Sequence, residues 1–170
     1  MMDPQRARGM QSQSPGHSSE FETVDPAPMA PETTVPELEA RLFDPARTMF
    51  QRYRALFSLR HLGGEDAIRV IARAMTEPDS ALIRHEAAYV LGQMQGTKAI
   101  PHLVRQLEGD PSPMVRHEAA EALGNMWDAV ETVEPILRRF AASDPAREVR
   151  ESCEVALDNL AYLRDPAQFD

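Results

Sequence analysis

Cys153 is the only cysteine in these 170 residues, so no intramolecular disulfide framework and no cysteine-based zinc cage can form. A reducing compartment, the cytoplasm, is the expected setting. Lys98 is the only lysine, and with a net charge of −9 the chain offers no phosphate-binding surface. Nucleic acid is therefore not an expected partner. An acidic surface attracts cations instead, polyamine-like groups among them. No apolar run approaches the roughly 18 residues needed to span a membrane, and no apolar h-region marks a secretory leader. Aromatics make up 6% of the chain, too few for a base-stacking platform. Neither a phosphate-cradling glycine loop nor a Ser-His-Asp arrangement can be picked out.

What is present is one phrase written twice, 32 residues apart: Arg84-His85-Glu86-Ala87-Ala88 and Arg116-His117-Glu118-Ala119-Ala120. A fixed period of this length signals stacked helical repeats. Aligning on the arginine extends it to Arg52-Tyr53-Arg54-Ala55-Leu56 and Arg150-Glu151-Ser152-Cys153. Each copy runs on to a leucine, namely Leu59, Leu91, Leu123 and Leu157. Gly92 and Gly124 then stand where neighbouring helices approach closely. Ile83, Ala87, Val90, Leu91 and Met94 recur at three and four residues, the period of an amphipathic helix.

Shorter apolar helices separate the copies. Residues 99–107 carry Pro101 in a first turn, where a missing N–H costs little. Val133-Glu134-Pro135-Ile136-Leu137 is the equivalent after the third copy. Asp110-Pro111 and Asp144-Pro145 supply turn chemistry. The pattern predicts an all-α fold of about four helix pairs, near 37–62, 66–94, 98–126 and 130–163, stacked as a solenoid with the phrase on each second helix. The domain is expected over 37–163, with a short tail at 164–170. Residues 1–36 hold 6 of the 14 prolines and little apolar periodicity, the composition of a disordered tail or linker. His17 falls in that tail. His61 and His102 lie off the repeated slot, Cys153 reads as a small core residue, and Trp127 is expected to pack between repeats.

The His-Glu pairs are the candidate chemistry. In a stack, equivalent positions on neighbouring helices lie about 10 Å apart between axes, so side chains from both can converge on one ion. His85, His117 and Glu118 provide two imidazoles and a carboxylate, a set that suits non-haem iron and equally zinc with a bound water. A single surface His-Glu needs no metal. Two copies in one slot on consecutive repeats, with Tyr53-Arg54 and Glu151-Ser152 in the outer slots, show that packing does not demand the pair.

The repeat resembles HEAT repeats, in the subclass written around Val-Arg-x-x-Ala-Ala-x-Ala-Leu-Gly, whose second helices line the concave face. Over about residues 37–160 the likeness is more specific. Gln51-Arg52-Tyr53-Arg54-Ala55-Leu56-Phe57, Tyr89-Val90-Leu91-Gly92-Gln93, Pro113-Met114-Val115-Arg116-His117-Glu118 and Val149-Arg150-Glu151-Ser152-Cys153-Glu154 resemble the C-terminal arm of the deoxyhypusine hydroxylases. That resemblance implies an iron- and oxygen-dependent monooxygenase acting on the deoxyhypusine side chain of a translation factor. Family members pair two arms of four repeats, each arm holding one Fe(2+). It further implies His85, His117 and Glu118 as iron ligands, Glu86 as a catalytic and substrate-facing carboxylate, and Met114 as a lining residue. Only one arm is present, so the chain is expected to be a truncated form, one of two separately encoded arms completed by a separate N-terminal arm, or a self-pairing half whose homodimer completes the cleft. The competing expectations are a catalytically incomplete protein-binding module and a bilin lyase-like HEAT protein, which shares the Arg-x-x-Ala-Ala phrase.

Overall fold

The computed structural model describes residues 27–169, so the expectations for residues 1–26, His17 included, lie outside it. Eight α-helices and three short 3-10 turns make up the secondary structure among the described residues, with no strand. The helices are α1 (Val35–Leu42), α2 (Met49–Leu62), α3 (Gly64–Ala74), α4 (Ala81–Met94), α5 (Ile100–Gly109), α6 (Pro113–Gly124), α7 (Val130–Ser143) and α8 (Arg147–Arg164). They form four antiparallel pairs, each an outer helix followed by an inner one carrying the phrase.

Successive inner helices pack directly, α2 on α4 and, more extensively, α4 on α6 and α6 on α8, whereas the outer helices α3, α5 and α7 touch one another far less. The inner layer is therefore the shorter, concave side. Gly92 and Gly124 explain how close it gets. A Cβ built on Gly92 would sit 2.8 Å from the Ala122 Cβ, and one on Gly124 2.6 Å from the Ala156 Cβ. No side chain fits either gap, so backbone meets backbone. The core is one continuous cluster, with Leu38, Leu56, Leu91, Leu103, Leu123 and Leu137 all fully buried. Each such leucine contributes about 1.5–3 kcal/mol relative to an exposed one.

Local signals set the helix ends. Thr48 caps α2, accepting from the Gln51 N–H at 3.3 Å, and Ser80 caps α4 through the Ile83 N–H at 3.1 Å. Gly63 and Gly64 take φ of +68° and +81°, letting α2 turn into α3 without an intervening loop. Pro101 lies in the first turn of α5, as its position predicts. Pro135 differs: α7 starts earlier, at Val130, so this proline falls inside the helix and removes one ladder hydrogen bond. Trp127 also differs. It stands in the 3-10 turn before α7 and is 51% exposed, while its neighbour Met126, 2% exposed, fills the space between repeats.

The arginine of the phrase ties each pair to the next. Arg84 makes a two-pronged bond to the Asp110 carboxylate, Nε to Oδ2 at 2.6 Å and Nη2 to Oδ1 at 3.1 Å, and a third to the Glu77 carbonyl at 2.9 Å. Arg116 repeats this with Asp144, at 2.9 Å on both prongs, and with the Asp110 carbonyl. Asp110 and Asp144 also accept the Ser112 and Ala146 N–H groups, at 2.8 and 2.9 Å. One carboxylate thus shapes the turn and anchors the arginine. Read from sequence as turn residues alone, these two aspartates prove to be structural ion-pair partners.

Residues 27–34, placed in the tail by composition, lie against α2. Ala27 and Ala30 are buried, the Ala30 N–H donates to the Ser58 Oγ at 2.8 Å, and Arg54 donates to the Pro28 carbonyl at 2.9 Å. At the other end α8 continues to Arg164 and is followed by a 3-10 turn, Pro166–Phe169.

Candidate metal centre

His85 and Glu86 lie in the first turn and a half of α4, His117 and Glu118 in that of α6. The packing of α4 on α6 sets these two pairs side by side on the concave layer. One donor atom each from His85, His117 and Glu118 lies within 4.8 Å of the others, the separation at which three ligands can meet one ion. The imidazole centroids are 6.0 Å apart. His85 Nε2 is 3.3 Å from Glu118 Oε2, and His117 Nε2 is 4.0 Å from the same oxygen.

The other nitrogen of each ring is held elsewhere. His85 Nδ1 lies 3.3 Å from Glu86 Oε1. His117 Nδ1 lies 2.9 Å from Ser152 Oγ and 3.2 Å from Glu121 Oε1. Both rings therefore turn Nε2 toward Glu118 and Nδ1 toward an outer partner, the arrangement found around metal-ligating histidines. Glu86 also accepts a hydrogen bond from the Tyr53 hydroxyl; burial and then the Glu86 charge push that phenol well above its usual range.

Charge is concentrated here. Glu118 is 7% exposed. Burial pushes its carboxyl up, the His85 imidazole pulls it down, and the Glu121 and Glu86 carboxylates add to the rise, to about 7. The Glu86 hydrogen bond raises His85, burial opposes, and the Glu118 charge adds to the rise. A buried carboxylate beside two more is a place where a cation is stabilised and reverses the local proton affinities. The residues present therefore fit a divalent metal.

Each residue singled out from sequence can be placed. His85, His117 and Glu118 converge. Glu86 stands on the outer nitrogen of His85 rather than beside the Nε2 atoms. Met114, one turn before His117, is 46% exposed, and Phe50 and Leu82 occupy the same register, 52% and 42% exposed. Together they form an apolar edge one turn from the row Tyr53, His85, His117. His61 and His102 stay outside this group, His102 pairing with Arg105 on α5 at 2.7 Å. Cys153 is fully buried, as expected.

Tyr53, Glu121 and Ser152 were missed as contributors. Two of them sit in the outer slots, where their difference from His-Glu showed only that packing does not demand the pair. The available signal was register: Tyr53 meets Glu86, His85 meets Glu118 and His117 meets Ser152, each the slot residue of one repeat against the following position of the next.

Comparison with known proteins follows the same division of the chain. The family model for HEAT repeats matches residues 35–110 and again 82–158. The chain is 50% identical over 149 residues to the deoxyhypusine hydroxylase of Gallus gallus, covering 88% of this chain and 49% of that protein. Against the Homo sapiens deoxyhypusine hydroxylase it is 50% identical over 143 residues, covering 80% and 44%. The solved structure of human deoxyhypusine hydroxylase in complex with glycerol superimposes with a TM-score of 0.75 at 45% identity, covering 86% of this chain and 50% of that one. The chain spans about half the length of the curated relatives it matches.

Proposed function

The chain belongs to the HEAT-repeat family, and we propose that it serves as one arm of a deoxyhypusine monooxygenase, holding one Fe(2+) through His85, His117 and Glu118. The observation that carries this reading is the convergence of those three donors from adjacent repeats within 4.8 Å. It gains weight from 43–50% identity to proteins named deoxyhypusine hydroxylase. Two imidazoles and a carboxylate leave coordination positions open, and iron so held supplies the oxygen-activating chemistry that a hydroxylation requires.

The chain's own residues then bind and orient. The substrate is a deoxyhypusine side chain on a translation factor precursor, a long aliphatic stem bearing two amines. Glu86 and Glu121 offer carboxylates to the cationic nitrogens, and Met114 on the apolar edge supports the stem. Glu118 and the two Nε2 atoms hold the ion. Glu86, between Tyr53 and His85, is fixed by both and is the carboxylate placed to select an amine over a neutral chain.

One arm carries two His-Glu pairs and one such cluster, so the second arm of the active cleft comes from a second copy, from a separate N-terminal arm, or from a longer form of this chain. A two-fold pairing would bring the same patch of each copy together. The test is iron content and mass of the anaerobically iron-loaded chain. One iron per chain is expected, with hydroxylation of the deoxyhypusine-bearing factor only in the paired form. A monomer that takes up no iron at high protein concentration refutes the proposal.

A further inference from the structure

We infer that the outer repeats complete this centre, and that Ser152 on α8 is the positioning residue that holds His117 with Nε2 directed at Glu118. The inference deepens the metal-binding reading above and rests on it. An imidazole can give a metal only one nitrogen, and which one is set by the hydrogen bond at the other. For His85 that bond goes to Glu86 within its own repeat, at 3.3 Å. For His117 the corresponding glutamate is turned inward, with Glu118 Oε2 facing both Nε2 atoms. His117 Nδ1 instead reaches across to the next repeat, 2.9 Å from Ser152 Oγ.

Two partners approach that nitrogen, and they differ in stiffness. Glu121 is on the same helix, its side chain 48% exposed, at 3.2 Å. An exposed carboxylate on a flexible stem restrains a ring weakly. Ser152 is 8% exposed, with a one-carbon side chain on a helix locked by the Gly124–Ala156 contact. Its oxygen accepts from Nδ1–H in the tautomer that leaves the Nε2 lone pair free for a metal. The position is not incidental, because Ser152 falls where the ladder of slot contacts predicts the next member after Glu86 and Glu118. A glutamate there would place a third carboxylate against His117, beside Glu118 and Glu121. A serine supplies the hydrogen bond without the charge.

The tautomer can be read without metal. In the metal-free full chain labelled with 15N-histidine, at about pH 8.5, where histidines are ordinarily neutral, His117 is expected as the Nδ1–H form. Ser152→Ala is expected to return it toward Nε2–H, the form that free neutral imidazole prefers. His85, held by Glu86, stays unchanged and serves as the internal reference. Anaerobic Fe(2+) competition against a chelator should show affinity falling about 10- to 100-fold, the usual scale for losing an outer partner. Far-UV dichroism and the melting curve should be unaltered. A His117 already in the Nε2–H form in the unsubstituted chain, or one whose tautomer Ser152→Ala does not move, overturns the inference. If the unsubstituted chain binds no Fe(2+), the proposed function fails, while the tautomer measurement still decides the role of Ser152.

Discussion

Replacing Gly124 with alanine sets two well-known effects against each other, and the geometry decides the sign. Alanine in a helix is favoured over glycine by up to about 1 kcal/mol, and Gly124, the last residue of α6, can gain no more than that. The new Cβ, however, would lie 2.6 Å from the Ala156 Cβ and 3.0 Å from its Cα. Carbon atoms prefer about 3.5–4.0 Å, so α6 and α8 must part by roughly 1 Å. The obstacle is backbone and a methyl on backbone, with no flexible end to swing aside. Nor can α6 slide away, since Ala122 on its other side already fills the gap at Gly92. Overpacking costs about 1–3 kcal/mol, and an obstacle made of backbone and a backbone methyl puts this site in the upper part of that range, about 2–3 kcal/mol, so a net loss of about 1–2 kcal/mol is expected. Gly109→Ala is the control: it ends α5, and a Cβ there meets nothing within 4 Å. It should gain about 0.5–1 kcal/mol. Urea unfolding followed by far-UV dichroism ranks the three proteins, with Gly109→Ala most stable and Gly124→Ala least. A Gly124→Ala variant as stable as the unsubstituted chain would show that the inner helices are not in backbone contact.

His85→Ala and His117→Ala should each abolish Fe(2+) retention on desalting while leaving helicity intact, because both rings lie on the concave surface outside the core cluster; retained iron in either variant refutes the ligand assignment. Arg116→Ala strands the Asp144 carboxylate, 2% exposed in its side chain, and should cost about 3–5 kcal/mol in chemical unfolding. Burial would raise the Asp144 carboxyl, but the Arg116 hydrogen bond and the Ala146 N–H outweigh it and hold the group below its ordinary 3.8. A depressed carboxylate stabilises the fold above its unfolded pKa and loses that contribution as pH falls through the folded one. The stability gap between the unsubstituted chain and Asp144→Asn should thus be full at neutral pH and shrink below 3.8; a gap constant with pH contradicts the pairing. Burial, with Asp144 and Glu154 nearby, pushes the Cys153 thiol up to about 12. Iodoacetamide should therefore leave the native protein unmodified at pH 8 and label it fully in denaturant, as mass spectrometry will report.

The four helix pairs and the close glycine contacts were legible because they depend on a period the eye can count. The convergence of His85, His117 and Glu118 was legible for the same reason, as translation by one repeat carries one slot onto the next. What escaped were contacts whose two ends lie in different kinds of segment. Arg84 and Asp110 are 26 residues apart, one on an inner helix and one in a turn, and nothing in either neighbourhood announces the other. Trp127 escaped because a 3-10 turn shifts the inward position by one residue, to Met126. Ser152 and Tyr53 were visible as departures from His-Glu, yet a departure says nothing about direction until one knows that each slot reaches forward.

That forward reach changes how such a chain should be counted. The four inner helices carry Tyr53-Arg54, His85-Glu86, His117-Glu118 and Glu151-Ser152. The contacts pair the first member of one with the second member of the next, giving tyrosine over glutamate, histidine over glutamate and histidine over serine. Chemistry belongs to junctions, so two His-Glu words make a single histidine-over-glutamate junction. Excising one 32-residue unit from the middle would leave a complete His-Glu pair in place and no such junction at all.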